Sequence, residues 1–362
     1  MPEPIRVGVI GCGEIAQIMH LRFLDELPEF ELTALCDLSN DVLERLGARY
    51  CVKHLYTSYL EMIDAGTVDA VVVATPQHRE PALAALENGK HLLLEKPVAY
   101  SVAEAQEIAA AASRASSVAM VGYMRVYDPG YEAVRHELLA KEPVRLVRSH
   151  NFGGDMELHH SLFRVVRPGP GEALEDHLAE EIGARTAATL RSTVGEDDNL
   201  QFMVWALLMG CSHDLSVVRD LAGSATSIES SYIDSGRLLA CVAHERALCT
   251  YEWDTSPGYP WWDQELSVFT SSAVLTVHFA DPYIPYQPSL VEVHGANGRS
   301  SRVCRPDVSN EPAFRREWQH FARCIRAGEP PRTTIQGGRE DVELITELVR
   351  GAPARDTLVP TR

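Results

Sequence analysis

No apolar run in this sequence reaches the roughly 18–20 residues that a bilayer-spanning helix requires, and the longest candidate, residues 202–211, is too short. Basic residues are scarce as well. Lys and Arg number 33 against 51 Asp and Glu, for a formal net charge of −18. So acidic a surface repels nucleic acid and anionic membranes, and neither is expected as a partner. The first ten residues carry no basic n-region or cleavage pattern, so no export signal is expected and the expected location is cytoplasmic. The eight cysteines include no Cys-x-x-Cys pair and most sit in apolar segments, as reduced, buried thiols do. Gly-x-Ser-x-Gly and Walker motifs are missing, and so are internal repeats and low-complexity segments.

What is present begins at residue 5. A short apolar strand over 5–10 runs into Gly11-Cys12-Gly13-Glu14-Ile15-Ala16, then a helix, then a strand over 31–36 ending at Asp37. Gly11 permits the sharp turn out of the strand. Gly13 lets a pyrophosphate lie against the backbone, and Ala16 lets the helix pack close to the sheet. The first-turn N–H groups of that helix, opened by Glu14 and Ile15, face the phosphates. A carboxylate at Asp37 accepts hydrogen bonds from a ribose diol and repels a 2′-phosphate. The pattern predicts a dinucleotide cofactor, NAD rather than NADP.

Strand and helix patterns alternate as far as residue 124. Residues 69–76 form a continuous apolar strand of the doubly buried kind. A helix over 79–88 ends at Gly89, a strand follows over 91–94, and a Ser101/Glu104 capping box opens a helix to about 114. A further strand covers 118–123. This is an α/β pattern, a doubly wound parallel Rossmann sheet over 1–124. The remainder, 125–362, reads as an α+β domain for substrate binding and oligomerisation. It has a helix over 129–140, a strand over 144–152, and an irregular stretch over 164–199 with an acidic helix-like run at 172–191. One helix is expected over 200–222. Six strand candidates follow without intervening helices (225–233, 239–246, 248–254, 266–271, 273–279 and 290–294), an open and mainly antiparallel meander. Helices over 312–326 and 339–350 complete the pattern. An open sheet needs a cover for its outer face, and a partner subunit would supply it, giving a homodimer or homotetramer.

Gly11-Cys-Gly13-Glu-Ile-Ala16, Ala74-Thr75-Pro76 and Gly89-Lys-His91 leading to Glu95-Lys96-Pro97 together resemble the glucose–fructose oxidoreductase/inositol dehydrogenase family. The segment Gly122-Tyr123-Met-Arg125 and the spacing Phe321-x-x-Cys324 to Gly328, Pro331 and Thr333 fit the same family, so the resemblance covers nearly the whole chain. It implies a nicotinamide cofactor and a pyranose or cyclitol substrate.

Lys96 is the first catalytic candidate. It follows a buried parallel strand at the carboxyl edge of the sheet, where open α/β sheets bind ligands, and can serve a hydroxyl or carbonyl as acid/base. Glu95, Thr75, Pro76 and His78 are expected beside it at the cofactor. His213 matches the family's acid/base histidine. The acids that the family usually places four residues before and three after are here Met209 and Ser216. Asp214 is set about 100° round the helix from His213, a poor substitute. Tyr123, Arg125 and His160 are candidate substrate contacts. Asp155, Glu157, His159 and His160, like Glu175, Asp176 and His177, fit no zinc spacing, so no metal site is expected. Trp253, Tyr259, Trp261 and Trp262 read as a packed loop or subunit interface before a sugar platform.

The resulting expectation is an NAD(H)-dependent oxidoreductase acting on a secondary alcohol or ketone of a sugar, sugar derivative or cyclitol. Two alternatives stand beside it. One is a redox-neutral lyase or glycoside-cleaving enzyme using bound NAD transiently. The other is a non-catalytic NAD-binding protein.

Overall fold

A computed structural model describes residues 2–139, 143–153, 162–169, 174–234, 236–255, 261–284, 286–297 and 300–351. In their described parts, two compact units divide the chain. Met1–Tyr123, Phe163–Ser192 and Phe314–Val342 form the first, and Met124–Leu162, Thr193–Ala313 and Glu343–Arg362 the second.

The first unit is built on a six-stranded parallel sheet in the order β3-β2-β1-β4-β5-β6. Its strands are β1 (Ile5–Ile10), β2 (Phe30–Cys36), β3 (His54–Tyr56), β4 (Ala70–Val73), β5 (His91–Leu94) and β6 (Ala119–Val121). β4 is buried along its whole length, as its unbroken Ala-Val-Val-Val requires of a strand covered on both faces. The connecting helices are α1 (Leu21–Glu26), α2 (Asn40–Tyr50), α3 (Tyr59–Asp64), α4 (Arg79–Glu87) and α5 (Val102–Arg114). Ser39 caps α2 by accepting the Val42 amide, and Ser101 caps α5 by accepting the Glu104 amide at 3.3 Å. Gly89 takes φ +67 just beyond α4, the left-handed conformation expected of it. The glycine-rich turn, in contrast, leads into a single π-helical turn, Ala16–His20, before α1 begins. Thr333 joins the outer side of β6. Val121 donates to its carbonyl at 2.8 Å, and its hydroxyl donates to the Val121 carbonyl at 2.7 Å.

The second unit holds an eight-stranded sheet in the order β14-β13-β12-β11-β7-β10-β9-β8. Its strands are β7 (Leu146–Phe152), β8 (Ala225–Asp234), β9 (Arg237–His244), β10 (Leu248–Asp254), β11 (Asp263–Phe269), β12 (Ala273–His278), β13 (Leu290–Asn297) and β14 (Ser300–Cys304). The early strand β7 inserts at the centre, antiparallel to β11 and parallel to β10. The other pairs are antiparallel, so the meander is interrupted by one parallel pairing.

Later helices are α6 (Pro129–Leu139), α7 (Leu174–Val194), α8 (Asp198–Met209), α9 (Ser212–Ala222), α10 (Ala313–Ala327) and α11 (Ile335–Gly351). The single helix expected over 200–222 is in fact α8 and α9, bent by 58°. The break between them falls at Gly210. A Cβ there would sit 2.9 Å from the Trp253 ring, so the chain needs glycine to pass the indole, and it turns at that point. Among the described residues no single helix is long and apolar enough to cross a membrane.

Candidate functional site

The order of the six strands reverses between β1 and β4, which opens a crevice at their carboxyl ends. Gly11 lies at the end of β1 with φ +88. A Cβ on it would stand 2.8 Å from both the backbone nitrogen and the methyl of Thr75, which follows β4. Both the backbone angle and the close approach therefore require glycine. Gly13 differs, because a Cβ there would meet nothing within 4 Å and its bare backbone faces open space. Asp37 is half-buried at the end of β2. Its Oδ2 accepts the Cys12 amide at 2.8 Å and its Oδ1 the Ser39 amide at 3.0 Å. The open backbone at Gly13 and the acid at Asp37 fit the pyrophosphate and ribose of a dinucleotide. Glu14 and Ile15 are half-buried at the mouth of the turn.

β5 delivers Glu95, Lys96 and Pro97 at the same edge of the sheet. Lys96 is half-buried. Burial lowers its pKa from the ordinary lysine value, and the neighbouring Glu95 carboxylate opposes that shift. Glu95 itself points inward. Its Oε1 lies 2.9 Å from His20 Nε2 and its Oε2 accepts the Lys96 amide at 3.1 Å. His78 is buried, with Nδ1 2.6 Å from the Pro97 carbonyl, so it ties the Thr75-Pro76 loop to the lysine turn. Burial lowers the His78 pKa and favours the neutral ring. Thr75 closes its own loop by donating to the Gln77 carbonyl at 2.7 Å, and Pro76 is exposed. Tyr123 is fully buried.

Arg125 and His213 belong to the second unit. Arg125 is buried, donates to the Ala280 carbonyl at 2.9 Å and stands 5.0 Å from the Phe279 ring centre. Burial lowers its pKa, against the pull of Asp128 and Asp214. His213 is half-buried in the first turn of α9. Since Met209 ends α8 on the far side of the bend, it does not lie one helical turn before His213. Asp214 pairs with side-chain amides on two strands. It is buried, and accepts from Asn151 Nδ2 on β7 at 2.7 Å and from Gln264 Nε2 on β11 at 2.8 Å. Burial raises its pKa, while these donors and Arg125 partly counter the rise. The signal was present: Cys211, Asp214, Leu215 and Val218 make one buried helical stripe, and an acid on such a stripe needs partners.

Residues 163–192 return to the first unit. Gln17 pairs with Val166 in both directions, donating to its carbonyl at 2.8 Å and accepting its amide at 2.7 Å. Arg45 on α2 donates to the Arg167 carbonyl at 3.0 Å. Further along, Thr186 accepts from Gln77 at 2.8 Å and Arg185 pairs with Glu80 at 3.1 Å. The insertion is thus anchored beside α2 and again at the start of α4, on either flank of the crevice. A cavity of about 410 Å³ between Phe163–Val165 and the side chains of Arg22 and Arg49 contains none of the expected site residues. His160, with Asp155, Glu157 and His159, lies outside the described residues, as does Tyr259. Glu175, Asp176 and His177 fall on the backbone of α7. Trp253 is buried, whereas Trp261 is 62% exposed.

Residues 5–123 match the Gfo/Idh/MocA family model, described as an oxidoreductase family with an NAD-binding Rossmann fold. Over 146 residues the chain is 36% identical to the inositol 2-dehydrogenase/D-chiro-inositol 3-dehydrogenase of Shouchella clausii, covering 38% of this chain and 42% of that one. It is 29% identical to a 4-carboxy-2-hydroxymuconate-6-semialdehyde dehydrogenase of Sphingobium, covering 38% and 44% respectively. The chain therefore spans less than half the length of these relatives. The match to the myo-inositol 2-dehydrogenase of Thermotoga maritima is 28% identical and covers 92% of both chains. Among solved structures, a 3-ketoreductase from Actinomadura kijaniata in complex with TDP-benzene and NADP aligns with a TM-score of 0.70 at 21% identity, covering 99% and 100%. The aldose–aldose oxidoreductase of Caulobacter crescentus aligns with a TM-score of 0.71 at 21% identity, covering 96% and 97%. These two likenesses establish the fold.

Proposed function

We propose that this protein, whose residues 5–123 match the Gfo/Idh/MocA oxidoreductase family model, is an NAD(H)-dependent oxidoreductase acting on a secondary alcohol or ketone of a sugar, sugar derivative or cyclitol. The observation that carries the reading is one unit holding both the open backbone at Gly13 with Asp37 and a half-buried lysine at the same strand edge. A bound nicotinamide supplies the hydride acceptor or donor. Lys96 Nζ takes the proton from the substrate hydroxyl during oxidation and returns it to the carbonyl oxygen during reduction. Burial and the Glu95 charge pull its pKa in opposite directions, which suits a group that must both take and give a proton. His213 is assigned the partner role in proton transfer, and Arg125 and Tyr123 support the substrate region. Asp37 favours NAD over NADP, because a 2′-phosphate would bring a second negative charge against its carboxylate. The outer face of the eight-stranded sheet, where Leu239 and Leu248 are exposed, is assigned to a second subunit.

The test is incubation with NAD and a panel of sugars and cyclitols, followed by nicotinamide absorbance. Net NADH with one class of substrate supports the reading. Product without net NADH would move the protein to the redox-neutral class, and binding without product to the non-catalytic one.

A further inference from the structure

Behind Lys96 lies a buried group of ionisable side chains of which the proposed hydride chemistry uses only Glu95. His20 ends the π-helical turn and is fully buried, with the rings of Phe314 and Trp318 from α10 edge-on to it at 6.0 and 5.7 Å. Its Nε2 meets Glu95 Oε1 at 2.9 Å, while Glu95 Oε2 accepts the amide of Lys96 itself. The carboxylate packs against Gly122, where a Cβ would stand 3.0 Å from Glu95 Oε1, so only glycine leaves it this position. A carboxylate this deeply buried stays ionised only if donors and positive charge surround it.

We propose that His20 is a positioning residue for Lys96: its Nε2–H holds the Glu95 carboxylate ionised and oriented, and that carboxylate sets the charge of the lysine. The assignment of Lys96 as acid/base is the reading above; the His20–Glu95–Lys96 linkage can be tested without it. Four titratable groups face the Glu95 carboxylate. They are His20 from the π-helical turn, Lys96 from its own turn, His78 from the start of α4 and Glu317 from α10. Burial pushes Glu95 up, but the His20 hydrogen bond and the charges of His20 and Lys96 bring it below the ordinary glutamate value. Glu317 goes the other way. It is fully buried, neither carboxyl oxygen has a hydrogen-bond partner among the described residues, and burial with the nearby Glu95 charge raises its pKa well above the ordinary value. These opposite directions favour the negative charge on Glu95, whose oxygens meet His20 Nε2 and the Lys96 amide, over Glu317.

The chain contains four lysines, Lys53, Lys90, Lys96 and Lys141, so a lysine-labelled sample gives four side-chain signals. Lys96→Met identifies the one from residue 96. The experiment follows that signal by NMR against pH in the cofactor-free protein, so it reads the linkage whether or not any substrate is turned over. His20→Ala should lower the Lys96 midpoint by about 1–3 pH units, the range for loss of an adjacent opposite charge. Glu95→Gln should lower it at least as far, the double variant should go no further than Glu95→Gln alone, and His20→Gln, which keeps a donor, should restore part of the His20→Ala shift. Glu317→Gln should leave the midpoint in place. If His20→Ala is poorly folded, His20→Gln alone decides, with a midpoint between wild type and Glu95→Gln expected. An unchanged Lys96 midpoint in the His20 variants, beside a shifted one in Glu95→Gln, would overturn the proposal.

Discussion

The Cys12 amide donates to Asp37 Oδ2 at 2.8 Å, so the acid that ends β2 also closes the glycine-rich turn that follows β1. Asp37→Ala would therefore disturb the turn together with the ribose contact. Asp37→Asn keeps the shape and one acceptor oxygen while removing the charge. We expect the wild-type protein to bind NADH more tightly than NADPH, and Asp37→Asn to narrow the gap by about tenfold, the equivalent of about 1.4 kcal/mol. Fluorescence titration of both nucleotides measures this. Tighter NADPH binding by the wild type would reject Asp37 as the selectivity residue.

Lys96→Met removes the charged donor and keeps most of the apolar stem. NADH binding should persist while turnover falls by about 10²–10⁴, the usual contribution of a positioned acid/base. Steady-state kinetics on the substrate found by the panel decides the matter. Half the activity remaining would exclude Lys96 from proton transfer.

Because the chain bends at Gly210, Met209→Asp is not expected to supply a carboxylate to His213. The informative changes are His213→Ala and Asp214→Asn. His213→Ala should abolish one limb of the pH–rate profile, and an intact profile would make the histidine structural. Asp214→Asn can offer only one acceptor oxygen to the amides of Asn151 and Gln264. It should destabilise the protein by about 1–3 kcal/mol, the cost of a buried polar group left without a partner, as read from urea unfolding.

Glu317 predicts a pH dependence of stability. Its folded-state pKa lies above the unfolded value, so both states are protonated in acid. As pH rises through the ordinary carboxyl range the unfolded chain releases its proton and the folded protein keeps it. This group's contribution to stability falls from there up to the folded pKa, with a limiting slope of about 1.4 kcal/mol per pH unit. Glu317→Gln should therefore gain stability relative to wild type as pH is raised from 5 to 8. Parallel urea-unfolding results at every pH would count against a protonated Glu317.

Much of the first unit was legible from residue pattern alone. β1, β5 and α5 follow from apolar runs, the Ser101 cap and the Gly89 stop, because each is fixed by interactions within a few residues. The candidate dinucleotide site was legible for the same reason: Gly11, Gly13 and Asp37 lie on one local strand–turn–helix–strand string. The second unit was less so. Its strands alternate legibly, yet nothing local to β7 reveals that it enters the sheet centre beside β10, some 100 residues later.

A turn glycine at φ +88, a second glycine with open space beside it, one acid and the Glu-Lys-Pro turn already point to a cofactor edge in the residue string, because each acts through short-range geometry. Tertiary structure decided how the charges near that edge are managed. His20 reaches Glu95 across 75 positions of chain, Glu317 stays buried beside the pair, and Asp214 finds its donors on two different strands. An ionisable side chain shows its type in the sequence. Its charge depends on the water it loses and the partners it gains, and both are set by residues far away along the chain.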